Sequence, residues 1–151
     1  MTLLPIEKDI AQNEIFQDSP ECAEIVAIFQ DHYQKTGFHK PWILYVFSNE
    51  AGEFIGAGGF KDQPREGKVE ITYGTFSRYQ GRGIGTEICK NLLQLARKMD
   101  PSLTIIAHTV PDNLASIAVL QKNGFVQKGK VWDEEDGELL LWEQSDSILN
   151  V

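Results

Sequence analysis

Apolar positions along this chain follow two rhythms, and the change from one to the other outlines a fold. Near the N-terminus, Leu3-Leu4-Pro5-Ile6 predicts a short edge strand, where Pro is tolerated, and Asp9 to Phe16 a short helix. Ser19-Pro20-Glu21 then supplies an N-cap, a Pro at the first helical position and an acid on the positive end of the helix dipole. Cys22, Ile25, Val26, Phe29 and Tyr33 follow at helical spacing until Gly37. The rhythm shortens in Trp42 to Phe47 and Glu53 to Phe60, two strands around the turn-forming Ser48-Asn49-Glu50-Ala51-Gly52. Gly56, Gly58 and Gly59 inside the second strand imply close approach of a neighbouring chain segment. A polar loop over 61–68 leads to a third strand, Val69 to Phe76, and the three make an antiparallel meander.

The longest helical pattern comes next. Ile84, Ile88, Leu92, Leu95 and Met99, with Gly85, Cys89 and Ala96 beside them, form one apolar stripe. Asp100-Pro101-Ser102 breaks it, and Leu103 to Val110 reads as a buried strand. A strand, a crossover helix and a strand predict a parallel, right-handed connection, so 103–110 lies parallel to 69–76. A further helix, Leu114 to Asn123, ends at Gly124, and strands 125–132 and 138–143 close the chain as a hairpin over 133–137. Trp132 and Trp142 are expected to face each other across it as packing. The order β-α-β-β-β-α-β-α-β-β predicts an α/β fold with helices on both faces of a mixed sheet, in one domain over 1–151.

Composition narrows the function classes. At 151 residues and 42% apolar the chain suits one domain with a real core. It has no apolar run of about 18 residues and no basic-then-apolar N-terminus, so no membrane span or signal peptide is expected. Cys22 and Cys89 fall within apolar helical patterns and read as free buried thiols, which with the other features predicts a cytoplasmic protein. A net charge of −8 argues against nucleic-acid binding. The distribution is uneven. Acids dominate 1–37 and 131–151, the latter including Asp133, Glu134, Glu135, Asp136 and Asp146, whereas 78–98 carries Arg78, Arg82, Lys90, Arg97 and Lys98 against Glu87 alone. That basic excess is expected to lie where an anion binds.

The anion site itself is readable. Between the strand ending at Phe76 and the helix opening near Ile84 stands Gln80-Gly81-Arg82-Gly83-Ile84-Gly85-Thr86. Its glycines leave backbone N–H groups accessible, with the helix dipole behind them, which makes a phosphate cradle. A Walker loop needs Lys and then Ser or Thr after its last glycine, and here Thr86-Glu87 follow Gly85. A dinucleotide fingerprint needs its third glycine one position beyond Gly85. What remains is Gln-x-x-Gly-x-Gly at Gln80, Gly83 and Gly85.

That motif resembles the coenzyme A pyrophosphate loop of the GNAT N-acetyltransferase superfamily. Pro111-Asp112-Asn113-Leu114-Ala115-Ser116-Ile117, followed by Asn123-Gly124-Phe125, is similar to the Asn-x-x-Ser…Gly-Phe helix of one branch. That branch contains the ribosomal-protein N-terminal (alanine/serine) acetyltransferases. Glu70-Ile71-Thr72-Tyr73, placed before Gln80, resembles it too. The resemblance implies a mixed, mostly antiparallel six- or seven-stranded sheet with a splayed parallel pair of central strands. It implies acetyl-CoA as co-substrate, no metal, an amine acceptor and a homodimer. Pantetheine would pair with backbone near Tyr73 and Thr75, where Gly74 is expected to form a bulge that opens the ladder. The pyrophosphate would sit on the N–H groups of Arg82, Gly83, Gly85 and Thr86, within a loop that also includes Gly81 and Ile84.

Acyl transfer to an amine needs a neutral amine, a stabilised oxyanion and a protonated thiolate. At pH 7, neutralising a Lys amine costs about 4.6 kcal/mol but an α-amino group only roughly 1 kcal/mol. A backbone N–H around Thr75 would hold the oxyanion. Glu70, flanked by apolar residues, is the candidate base, and an occluded position would raise its pKa; a solvated residue paired with a nearby Lys is the plainer reading. Many members of the superfamily place a Tyr four residues before the helix-ending Gly, and here Leu120 stands there. In the branch this chain resembles, the helix Ser does that work, which carries over to Ser116, with Tyr73 as substitute acid. Asn113 is a cap, a pantetheine contact, or both. His32, His39 and His108 show no metal-ligand spacing and read as surface or core residues. The rival readings are a non-catalytic acyl-CoA sensor on the same scaffold and a nucleotide-binding module.

Overall fold

A computed structural model describes residues 1–145. The elements follow the hydrophobic rhythm closely. They are β1 (Thr2–Pro5), a 3-10 helix (Ile10–Phe16), α1 (Pro20–Thr36), β2 (Leu44–Ser48), β3 (Phe54–Phe60) and β4 (Lys68–Thr75). A 3-10 turn (Ser77–Tyr79), α2 (Ile84–Met99), β5 (Thr104–Thr109), α3 (Leu114–Lys122), β6 (Val126–Asp133) and β7 (Gly137–Gln144) complete them. Ser19 caps α1 by accepting from Cys22 N, as its position predicts. The second strand starts at Leu44 rather than Trp42, because Trp42 N and Ile43 N donate to His39 and Pro41 carbonyls in the preceding turn.

The seven strands form one sheet in the order β1-β2-β3-β4-β5-β7-β6, antiparallel throughout except for the β4–β5 pair. Strand alternation assigns the faces. A Cβ on Gly56 would lie 2.7 Å from Ile88 Cδ1, so Gly56 and its partner Thr75 face α2. Ile71 and Tyr73 share that face, whereas Glu70 and Thr72 project to the other. The close approach implied by the strand glycines is real. A Cβ on Gly59 would stand 2.2 Å from the Ile43 carbonyl oxygen, and one on Gly56 2.5 Å from that of Gly74. The core joins Phe16, Val46, Phe47, Phe60, Ile71, Ile88, Leu92 and Ile105, each nearly or fully removed from water. Cys22 and Cys89 are free and buried. No helix among the described residues is long and apolar enough to cross a membrane.

Three expectations need correction. Gly74 forms no bulge: β3 and β4 pair in unbroken register from Gly56–Thr75 to Phe60–Ile71. The two Trp residues do not face each other. Trp132 pairs with Glu138 near the hairpin turn, and Trp142 with Gln127 at its far end. Trp142 is buried and donates from Nε1 to Thr109 Oγ1 at 2.9 Å, whereas Trp132 is 78% exposed. The basic excess of 78–98 does not gather at one end either. Arg97 lies thirteen residues into α2, about 20 Å from its start, and donates to the Leu103 and Gln144 carbonyls. Asp146, counted in the acidic C-terminal stretch, lies outside the described residues.

Candidate active site

The site begins where β4 and β5 part. Their parallel pairing consists of Lys68–Thr104, Val69–Ile105 and Glu70–Ile106, and then stops. Beyond it β4 stays with β3 and β5 stays with β7 as far as Thr109–Leu140. In the β3–β4 ladder, Lys61 N donates to Glu70 O and Phe76 N to Ile55 O, so even-numbered residues of β4 bond toward β3. The N–H and C=O groups of Tyr73 and Thr75 therefore point into the gap. The open edge arises from divergence of two half-sheets rather than from a bulge.

The helix start borders the same gap. Gly81 and Gly83 adopt φ of +78° and +76°, a conformation that other residues take only with strain. The N–H groups of Ile84, Gly85 and Thr86 open α2 and have no intrahelical partner, and Gly83 at the N-cap has no side chain to cap them. Glu87 N is the first to bond back, to Gly83 O at 3.3 Å. Gly85 packs close: a Cβ there would be 3.3 Å from Thr75 Oγ1 and 3.4 Å from Val119 Cγ2. Gln80 Nε2 donates to Thr75 O at 3.3 Å, and Tyr79 ties the loop to the turn before β3 by donating to Glu53 Oε2 at 3.0 Å.

A groove of about 690 Å³ joins these parts. Its walls include Gly74 and all but two of the sequence-predicted site residues: Tyr73, Thr75, Gln80, Gly81, Gly83, Ile84, Gly85, Thr86, Asn113 and Ser116. The exceptions are Arg82, whose guanidinium lies 5.7 Å from the Tyr79 ring centroid, and Glu70. Lys122, Val119 and Tyr79 also line the groove and were not foreseen. Lys122 falls four residues after Ala118 and seven after Ala115, spacings that return to nearly the same side of a helix, and both alanines also line the groove.

Across the groove α3 presents Ser116. Asn113 Oδ1 caps the helix by accepting from Ser116 N at 3.1 Å. The Tyr73 hydroxyl lies 3.0 Å from Ser116 Oγ and 3.2 Å from Ser116 O, so the two candidate acids form one hydrogen-bonded pair. Burial pushes the Tyr73 phenol well above its ordinary range, opposed by the bond to Ser116. Leu120 is fully buried in the core and cannot reach the groove.

Glu70 stands on the other face of the sheet, at the last paired rung of the fork. It does not sit among apolar groups: Oε2 is 2.8 Å from His108 Nδ1 and 3.0 Å from Lys61 Nζ. His108, taken from sequence as a surface or core residue, is thus brought to the candidate base. The pairing of Glu70 with Ile106 puts His108, two residues on, at the same face, a relation visible only once the register is known. Among the described residues no three His, Cys, Asp or Glu side chains could hold a metal ion.

Comparison with known proteins identifies the family and the fold. A family model described as an acetyltransferase (GNAT) domain matches residues 5–126. The chain is 29% identical over 122 residues to the N-alpha-acetyltransferase RimI of Mycobacterium tuberculosis (strain ATCC 25618 / H37Rv), covering 74% of this chain and 75% of that protein. It is 31% identical over 90 residues to the uncharacterized N-acetyltransferase YjdG of Bacillus subtilis (strain 168), covering 59% and 52% respectively. Among solved structures, a chimera of the Vibrio cholerae spermidine N-acetyltransferase SpeG and hSSAT superposes with a TM-score of 0.72 at 18% identity over 100% of both chains. The ribosomal-protein-S5-alanine acetyltransferase of Vibrio fischeri gives 0.65 at 21% identity, over 84% of this chain and 72% of that one. At such identities the structural likeness is one of fold.

Proposed function

Because the chain belongs to the GNAT acetyltransferase family, as the match over residues 5–126 shows, we propose that it moves an acetyl group from acetyl-CoA to a primary amine by direct attack in a ternary complex. The observation that carries this reading is one convergence. A strand edge at Tyr73 and Thr75 that no neighbouring strand pairs, an uncapped helix start at Ile84–Thr86 and a half-buried hydroxyl pair open onto a single groove.

On this reading the diphosphate accepts from the N–H groups at the start of α2, where the helix dipole adds attraction, and Lys122 adds a cation from α3. Gly81 and Gly83 hold the loop in its left-handed turns so that backbone, not side chain, meets the anion. The pantetheine amides bond to the open edge of β4, which delivers the thioester to the fork. A β4 N–H in the gap, at or beside Thr75, stabilises the oxyanion as the amine adds. The Tyr73–Ser116 pair returns a proton to the departing thiolate. Burial raises the Tyr73 phenol, so it carries its proton near neutral pH and can offer it to the departing sulfur as a hydrogen bond through Ser116.

The acceptor enters from the Glu70 face. Lys61 and Lys68 there are matched by Glu70 and Glu143, with Lys68 Nζ 3.6 Å from Glu143 Oε2. A balanced patch offers no surplus of negative charge to a polycation and suits a singly charged α-amino group, which is also the easier amine to neutralise. Incubating the protein with acetyl-CoA and a panel of amines and short peptides, with free-thiol release and product mass as readouts, tests the reading. Turnover with an α-amino acceptor supports it. Binding of CoA without turnover on any amine would favour a sensor, and stronger thermal stabilisation by ATP or NAD than by CoA would overturn the account.

A further inference from the structure

The face of the sheet opposite Tyr73 and Ser116 carries an inference that rests on the acetyl-transfer reading and assigns its first step. Glu70 Oε2 accepts from two donors at once, Lys61 Nζ at 3.0 Å and the His108 ring at 2.8 Å. A carboxylate oxygen can only accept, so the short contact places the proton of a neutral His108 on Nδ1. The lone pair then lies on Nε2, and no described residue supplies Nε2 with a hydrogen-bond partner. The side chains of His108 and Glu70 are 21% and 22% exposed, open enough for an amine or a water to reach. Ionisable groups near the pair include Lys61 before β4, Lys68 on β4, Glu143 on β7 and His32 on α1, whose Nε2 meets the Lys61 carbonyl at 2.5 Å. None of them bonds His108. An imidazole whose one nitrogen is held by a carboxylate while the other stays free is the arrangement that general bases use.

We propose that His108 Nε2 is the base that takes the acceptor's proton, and that Glu70 is a positioning residue that fixes the ring and its tautomer. The ammonium gives one proton to Nε2, and the neutral amine adds to the thioester carbonyl, forming the C–N bond. The adduct loses its second N–H proton to the same nitrogen once the first has passed to solvent. The C–S bond breaks with its electron pair on sulfur, and the thiolate is protonated from the Tyr73–Ser116 pair, which solvent refills. The sum is R–NH3+ plus acetyl-CoA giving the N-acetyl amine, CoA thiol and one released proton. The position of His108 beside the fork, on the side away from the diphosphate groove, places the base where the amine must approach.

The test uses the full chain and the best acceptor from the amine panel. His108→Ala is expected to lower kcat by about 10²- to 10⁴-fold while calorimetric affinity for CoA stays at the wild-type value. Added imidazole should recover part of the loss, which a residue needed only for packing would not show. His108→Asn keeps an N–H for Glu70 but no base, and should be as slow as the Ala variant; it serves if the Ala variant does not fold. Glu70→Gln leaves an amide oxygen to accept from Nδ1, so its loss should be smaller and insensitive to imidazole. Activity of either His108 variant within about two-fold of wild type, or a folded, CoA-binding His108→Ala protein that imidazole does not accelerate, overturns the proposal. Failure of the parent reading looks different: the wild-type protein itself would acetylate no amine.

Discussion

Replacing Tyr73 by Phe separates the structural from the chemical role of the groove's hydroxyl pair. The variant removes one oxygen that contacts Ser116 Oγ at 3.0 Å and Ser116 O at 3.2 Å, and leaves the ring in place. Neutral hydrogen bonds of this kind contribute about 1 kcal/mol, so the melting temperature of a chain this size should fall by roughly 2–4 °C. The chemical effect is larger if the hydroxyl serves the leaving group. General acids contribute about 10²- to 10⁴-fold, and a thiol leaves well unaided, so the low end, about 10²-fold in kcat, is expected. Ser116→Ala alone should cost a similar factor, and the double variant little more than either, because both remove the same proton path. The assay is thiol release at saturating acetyl-CoA and acceptor, beside calorimetry with CoA. Full kcat in the Phe variant, or losses that multiply in the double variant, would refute the shared path.

Other outcomes follow from the same geometry. Ile88→Ala, at a fully buried position against β3, should destabilise the protein by about 2–5 kcal/mol in urea unfolding without changing affinity for CoA per folded molecule. Arg82→Ala should leave calorimetric CoA affinity nearly unchanged, since its side chain turns to Tyr79, whereas Lys122→Glu should weaken it several-fold, by about 1 kcal/mol, and more so at low salt. Burial raises the phenols of Tyr33 and Tyr73 above their ordinary range. The unfolded chain therefore loses these protons near pH 10 while the folded chain keeps them. Stability is full below about pH 10 and should fall as pH rises further, a decline visible in urea midpoints and reduced in Tyr33→Phe relative to its own value at pH 7.

The sequence carried more of the diphosphate side than of the amine side, for a physical reason. Helix starts and glycine turns are local: Gly81, Gly83 and the uncapped α2 are determined by neighbours within a few residues, and the motif between Gln80 and Thr86 reports them directly. The parallel crossover followed from connection rules, and the element bounds from periodicity. The amine side depends on long-range register. Lys61, Glu70 and His108 sit on three different segments, and only the pairing of Glu70 with Ile106 brings the imidazole to the carboxylate. The same blindness explains the Trp pair and the opening of the ladder. Trp142 looked like a hairpin partner but is a core residue, and the gap attributed to Gly74 belongs to the paths of two strands. Charge counted along α2 misled because a helix carries its two ends about 20 Å apart.

Only three rungs, Lys68–Thr104 to Glu70–Ile106, tie the halves of this sheet through β4 and β5. A molecule lying along the open edge of β4 would act as an eighth, temporary strand and lengthen that seam. The amides of Tyr73 and Thr75 would then exchange with deuterium slowly in its presence and fast without it, and the two half-sheets would shear less against each other. On the proposed reading the donor would brace the acceptor's side of the molecule before any acceptor arrives, and the two substrates would bind in a fixed order.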